Sequence, residues 1–337
     1  MAAVRIAVGV VVAIAFWVCR GAQCQTAVIG AGSTFSAPIY KKWIDSFQVI
    51  HPGLPITYDP TSSEEGLGRL EGGAADFAAS DFPPGEDVEK RLGLEMLPTV
   101  IGGVVPAYNI AGIEKDLRFT PDILAGIYLG QIQKWNDPKI KAANRGVKLP
   151  EADIAVIHRS DGSGTTYVWS EFLSKSNSEW RSAVGTGSSL HWPVGEGVAT
   201  NEGVAQRITR TPNSIGYVEF IYALQNHLSY GSVQNAAGKF VSADIDSLTA
   251  AALAALSSTT YRISITNAPN KNAYPIASFT WIVIQAKVST TQKRERLAAF
   301  LDWALSYGQK QAAALGYVAL PQPLAERERL SVAQWAH

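Results

Sequence analysis

Between Arg159 and Thr165 the chain sets a guanidinium, a carboxylate, several hydroxyls and two glycines in one short run, Arg159-Ser160-Asp161-Gly162-Ser163-Gly164-Thr165. The chemistry of this set is donation: an always-charged fork at Arg159, hydroxyl hydrogens at Ser163 and Thr165, and main-chain N–H groups that glycine lets a ligand approach. The apolar run Ile154 to Ile157 comes before it. Val168, Trp169, Phe172 and Leu173 follow at the spacing of one helical face. A strand, a turn and a helix start are therefore expected, with Ser163, Gly164 and Thr165 where the first helical N–H groups have no partner. Such a junction is either an ordinary N-cap with turn glycines or an anion seat strengthened by the helix dipole. Asp161, two residues after Arg159, is placed either to hold the guanidinium or simply to form the turn.

Two more junctions of the same kind precede it. In AVIGAGSTFSAPIYKKWIDSF, Ile39, Tyr40, Trp43, Ile44 and Phe47 recur at helical spacing, and Pro38 suits a first turn, so a helix begins near Ser33 to Ser36. Gly30 and Gly32 raise the question of a dinucleotide fingerprint, but Phe35 stands where the third glycine of that motif is needed. In ITYDPTSSEEGLGRL, Ser62 and Glu65 have the spacing of a capping box, a purely local explanation for these serines and glutamates. Three hydroxyl-bearing helix starts can still converge on one anion, because ligands of open α/β sheets sit beyond the carboxyl ends of the strands.

Asp81, in DFAASDFPP, is the exception in charge. A solvated turn aspartate before proline is its ordinary meaning. Inside a donor-lined site it acquires another: an ionised carboxylate only accepts hydrogen bonds, so it pairs with an oxyanion that still carries a proton and repels one that does not. Phosphate qualifies, arsenate is protonated in the same way, and sulfate does not qualify. Leaving two acceptors face to face costs at least ~1 to 3 kcal/mol, enough to select.

Stepping along the rest of the chain, TVIGGVVPAYNI from Thr99 to Ile110 reads as a strand that crosses between domains, and YPIASFTWIVIQ as a second strong strand. TPDILAGIYLGQIQKWNDP gives a helix, a turn and a tryptophan-bearing loop, Ala250 to Leu256 an alanine-rich helix, and Glu295 to Ala304 a helix with one apolar face. Strands alternating with helices across 337 residues indicate an α/β protein with room for two cores.

Other chemistries lack their residues. The five histidines, at 51, 158, 191, 227 and 337, form no i, i+4 pair and no metal-ligand spacing. Ser163 lacks the flanking glycines of a nucleophile elbow, since Asp161 and Thr165 occupy those positions. No Gly-Lys-Ser/Thr run offers a P-loop. Basic and acidic residues number 29 each, so no charge excess points to nucleic acid, and any anion must be held by a local site. No metal and no cofactor is expected.

The N-terminus reads as an export signal, with Arg5 before the apolar stretch Ile6 to Val18 and small residues at Ala22 and Cys24 that suit cleavage before Gln25. An acylated Cys24 is the alternative, although Gln23 is large for such a site. Both cysteines, Cys19 and Cys24, lie in this leader, so a chain cut after residue 24 carries no thiol and no disulfide. The cut also removes Arg5 and Arg20, leaving 27 basic against 29 acidic residues.

Taken together, GAGSTFSAPIY, SSEEG, AASD, TVIGGVV, YLGQIQKW, RSDGSGT and IGYVE, in that order along the chain, resemble the substrate-binding proteins of the bacterial high-affinity phosphate ABC transporter, the PstS family. The resemblance implies a two-lobed periplasmic-binding-protein fold of type II, with two crossing strands joining the lobes and phosphate in the cleft. One lobe would comprise residues 25–99 and 278–337, the other 100–277. It also implies that Thr34 and Phe35 donate from the first helix start, Phe35 through its N–H. Ser63 would donate from the second, and Asp81 would accept the phosphate proton. Arg159, oriented by Asp161, would supply the cation, while Ser163, Gly164 and Thr165 add hydroxyl and amide hydrogens. The partners so implied are inorganic phosphate and a membrane permease with its ATPase, served by a monomer in the periplasm. Where family members commonly carry Ser-Ser-Gly-Gly, this chain has Ser63-Glu64-Glu65-Gly66, which sets two carboxylates beside the expected anion. They either cap the helix and face solvent or weaken the site.

Overall fold

The computed structural model describes residues 27–113, 116–253, 263–285 and 290–336. The expected export signal, with Cys19 and Cys24, lies outside the described residues.

In chain order, the elements begin with β1 (Val28–Gly32), α1 (Ala37–Ile50), β2 (Ile56–Pro60), α2 (Ser63–Glu71), β3 (Phe77–Ser80), α3 (Glu86–Leu92) and the long β4 (Leu94–Asn109). There follow β5 (Arg118–Phe119), α4 (Pro121–Tyr128), α5 (Pro138–Ala143), β6 (Ala155–Arg159), α6 (Gly164–Ser176), α7 (Ser178–Ala183), β7 (Glu196–Val198), α8 (Asn201–Arg210) and β8 (Ser214–Glu219). The rest is α9 (Phe220–Gln225), β9 (Ser229–Tyr230), β10 (Ser232–Gln234), β11 (Phe240–Val241), α10 (Ile245–Ala252), β12 (Ala277–Gln285), α11 (Thr291–Ala304), β13 (Val318–Ala319) and α12 (Gln322–Ala336).

The main sheet runs β2-β1-β3-β12-β4-β8-β6-β7, with β9 and β13 also paired to β4. Its centre is β4. Residues Leu94 to Gly103 pair antiparallel with β12, and Val104 to Asn109 pair antiparallel with β8, so one strand belongs to two surroundings. The strand starts five residues earlier than the run from Thr99 suggests, passing through Pro98, where the pairing with β12 shifts register. The chain enters β12 from residues 264–266, whose Ser264 hydroxyl and Thr266 carbonyl accept from Lys175 of α6. It thus crosses from the β8 side to the β12 side a second time.

On the β12 side, β1 pairs parallel with β2 and β3, and the helices following these strands start at their carboxyl ends. The buried face of α1, Ile39, Tyr40, Trp43, Ile44 and Phe47, is the stripe read from the sequence. Phe47 meets Phe300 of α11 edge-on at 5.5 Å, and Trp43 Nε1 donates to the Gly308 carbonyl at 2.8 Å. On the β8 side, β6 pairs parallel with β8 and β7, and Trp169 of α6 stacks on Tyr217 of β8 at 5.0 Å. The alanine-rich helix expected at Ala250 to Leu256 is α10, which begins earlier, at Ile245, because Asp244 and Ser247 close a full capping box there; residues 254–256 lie outside the described residues. The consequence for function is that the starts of α1 and α2 and the end of β3 face the start of α6 across the seam at β4.

Candidate anion-binding cleft

The β8-side wall is built from the end of β6. Arg159 is its last residue, and the guanidinium is buried, with a side chain only 1% exposed. Its Nε donates to Asp161 Oδ1 at 2.7 Å and its Nη2 to Oδ2, a two-pronged pairing that fixes the plane of the fork. The remaining edge is directed at the site: Nη1 lies 3.4 Å from Thr165 Oγ1. Asp161 thus serves the guanidinium as well as the turn. Ser163 is the N-cap of α6, its Oγ accepting from the Thr166 N–H at 3.1 Å. A capping serine uses an oxygen lone pair, so its own hydroxyl hydrogen stays available, and the two readings of this residue are compatible. Gly164 is where the walls meet: a Cβ there would strike the Asp81 carboxylate and the Ser63 hydroxyl. No other residue lets the first turn of α6 come so close.

The β12-side wall centres on Asp81, which follows β3 and is 1% exposed. Ser33 Oγ donates to its Oδ2 at 2.5 Å, Ser63 Oγ lies 3.4 Å from the same oxygen, and Thr280 Oγ1 of β12 donates to Oδ1. Burial pushes the carboxyl up to about 6 against the hydrogen bonds of Ser33 and Thr280, the charge of Arg159 and the hydroxyl of Ser63, which all pull it down. The Phe35 ring is fully buried, and its N–H donates to Ser33 Oγ at 2.9 Å. Thr34 Oγ1 accepts from Asn201 Nδ2 at 3.0 Å.

Asn201 opens α8 and is fully buried. The same Nδ2 donates to Thr165 Oγ1 at 3.0 Å, while its Oδ1 accepts from the Glu219 N–H at 3.0 Å, so one amide joins a hydroxyl from each wall. Sequence reasoning missed it, together with Ser33 and Thr280. A signal for Asn201 was present: Thr200 caps α8 through Gly203 N–H, making a fourth hydroxyl-bearing helix start. Ser33 immediately precedes Thr34 in the same turn. Thr280 carries no local sign, being one threonine in a β-rich run.

In the first turn of α2, Glu64 and Glu65 both bind partners other than Asp81. Glu65 pairs with Arg69 at 2.5 Å, and only half of the expected capping box forms, Ser62 Oγ accepting from the Glu65 N–H at 3.2 Å. Arg69 has drawn off the side chain that would complete it. Glu64 reaches across the cleft: its N–H donates to the Gly162 carbonyl at 3.0 Å, and its Oε1 accepts from Ser188 Oγ.

The arrangement holds hydroxyl, guanidinium and amide donors against one carboxylate acceptor, which suits a protonated oxyanion. Among the described residues no group of three or more histidine, cysteine, aspartate or glutamate residues is placed to hold a metal ion.

A model of the PBP superfamily domain matches residues 21–307. The phosphate-binding protein PstS of Xylella fastidiosa is 40% identical over 303 residues, covering 89% of this chain and 83% of that protein. PstS of Pasteurella multocida is 38% identical over 316 residues, 93% of this chain and 90% of that one. Among solved structures, a putative phosphate ABC transporter substrate-binding protein from Clostridium perfringens with bound phosphate superposes with a TM-score of 0.66 at 18% identity, covering 88% of this chain and 100% of that chain. At that identity the likeness establishes the fold alone, a two-lobed α/β architecture. By the domain match and the extent of identity to its relatives, the chain belongs to the PstS family of phosphate-binding proteins.

Proposed function

We propose that this protein captures hydrogen phosphate between its lobes and hands it to the permease and ATPase of an ABC importer. It is a transport binding protein and not an enzyme, in keeping with its family. The observation that carries the reading is Asp81, a buried carboxylate that faces the start of α6 and the guanidinium of Arg159 and accepts from hydroxyl donors around it. Thr34, the Phe35 N–H, Ser63, Arg159, Ser163, Gly164 and Thr165 supply the remaining contacts, with Asp161 holding Arg159. The Phe35 N–H exchanges its bond to Ser33 Oγ for the anion. Contacts from both lobes to one ligand favour the closed form by their differential affinity for it.

The pairing of β4, whose partner changes from β12 to β8 between Gly103 and Val104, supports a division within this strand, a few residues after the boundary of lobes 25–99 with 278–337 and 100–277. The basic, then apolar, then small-residue pattern of residues 1–24 supports export to the periplasm by a cleaved signal.

Titration calorimetry of ligand-stripped protein with phosphate and then sulfate tests the reading. One phosphate per chain and no sulfate heat are expected at neutral pH, and Asp81→Asn should narrow the preference by about 10- to 100-fold. Absence of phosphate binding by the unmodified protein overturns it.

A further inference from the structure

The turn between β1 and α1 presents Ser33, Thr34 and Phe35 to the cleft, and the carbonyls of the same three residues are each met by a tyrosine. Tyr58 donates its hydroxyl to Ser33 O at 2.7 Å, Tyr222 to Thr34 O at 2.6 Å, and Tyr317 to Phe35 O at 2.6 Å. The three phenols come from separate places: β2, α9 on the β8 side, and the residue before β13. They lie 25, 188 and 282 residues from the carbonyls they bind.

We propose that these tyrosines are positioning residues for anion capture, and that Tyr222 in particular is a closure contact that is made only when the lobes come together. The inference rests on the phosphate reading above.

The physical reason begins with the dipole of each peptide. A carbonyl aimed at a bound anion repels it, whereas the N–H of the same turn attracts it. Fixing three successive carbonyls on donors outside the cleft leaves the N–H and hydroxyl groups to face it. Phenols suit the task, since burial raises the proton affinity of all three well beyond the ordinary tyrosine range and they remain donors at any pH the protein meets. Tyr58 and Tyr317 belong to the β12 side, as does the turn, so their bonds exist whether the lobes are open or closed. Tyr222 follows β8 directly and travels with the other wall. Its bond therefore adds to the closed state only, beside the Asn201 bridge that joins Thr34 to Thr165.

The test uses Tyr222→Phe, Tyr58→Phe and Tyr317→Phe in the full mature chain, with stopped-flow phosphate association and release, and with Tm measured with and without phosphate. Phenylalanine keeps the packing and removes one donor. Tyr222→Phe should speed phosphate release by about three- to tenfold with association changed less than about twofold. Its phosphate-free Tm should match the unmodified protein, while the rise on adding phosphate shrinks. Tyr58→Phe and Tyr317→Phe should lower the phosphate-free Tm as well, because their bonds persist in the open form. Equal Tm losses with and without phosphate for Tyr222→Phe, or an unchanged release rate, would show a merely structural hydroxyl and overturn the proposal. Failure of the unmodified protein to respond to phosphate sinks the phosphate reading first, and the clamp with it.

Discussion

The Arg159 wall carries its countercharge two residues away, at Asp161, whereas the Asp81 wall collects its partners from the turn after β1, the start of α2 and the middle of β12. The first wall is local and electrostatically complete: a buried guanidinium already paired by two prongs, with one edge left for a ligand. The second is assembled only by the fold and is uncomfortable in charge, since burial disfavours ionised Asp81 more than its hydroxyl donors favour it. On the proposed reading, the difference is how a neutral protein would make an anion site without a basic patch. One wall would offer a compensated cation for strength. The other would offer a strained acceptor for discrimination.

Replacing Arg159 by methionine should have the largest effect, because it strips the cation from a dry site and strands Asp161. Loss of one partner of a buried charged pair costs about 2 to 5 kcal/mol, so phosphate affinity should fall ~30-fold or more in calorimetry. The same change should reach the other wall, since the charge of Arg159 helps hold Asp81 down. If Arg159→Met binds phosphate nearly as well as the unmodified protein, strength does not reside in the local wall.

Asp81 gives the next effect, in stability. Its carboxyl holds a proton up to about 6 in the folded protein, against 3.8 as the ordinary value. The folded state therefore binds more protons than the unfolded one between roughly pH 4 and 6, and stability contributed by the protonated form is lost as pH rises through that window. Burial also raises Glu219 and Glu328, the latter to about 7, which gives slopes of the same sign, so the comparison must be a difference. In phosphate-free buffer, Asp81→Asn should gain on the unmodified protein by about 2 kcal/mol between pH 4 and pH 7, as measured by urea unfolding. A gap that stays constant over that range would mean that Asp81 is not strained. The discriminating role of its wall would then need another cause.

The contrast also explains what could be read in advance. The strand, turn and helix around Arg159 follow from one apolar run, one cap and one periodic stripe, and Asp161 could be paired to Arg159 by proximity alone. The helix starts at Ser36 and Ser62 were legible for the same reason, as was the position of Asp81 after a short strand. Thr280 was not, because its bond to Asp81 spans 199 residues and depends on β12 lying beside β3. Asn201 was passed over because its bonds to Thr34 and Thr165 exist only once the two walls face each other. The strand β4 begins at Leu94 and not at Thr99, with Pro98 accommodated beside a register shift in its pairing with β12.

Glu64 sharpens the comparison at the smallest scale, because it is the point where a carboxylate could belong to neither wall. Its position in the first turn of α2 favours that helix through the dipole, and its bonds to Ser188 Oγ and the Gly162 carbonyl tie the lobes at the rim of the cleft. The Ser188 carbonyl in turn accepts from the Ser163 N–H at 2.9 Å, so the rim contact is continuous with the start of α6. An exposed contact of this kind is worth about 0.2 to 1 kcal/mol, so Glu64→Ala should speed phosphate release by no more than about fivefold. Glu64→Gln, which keeps an acceptor oxygen, should recover part of that loss. The opposite outcome is equally informative: if Glu64→Ala binds phosphate more tightly, and the gain fades at high salt, the carboxylate acts mainly by repelling the anion at the entrance. Discrimination by charge would then begin at the rim, before the ligand meets Asp81.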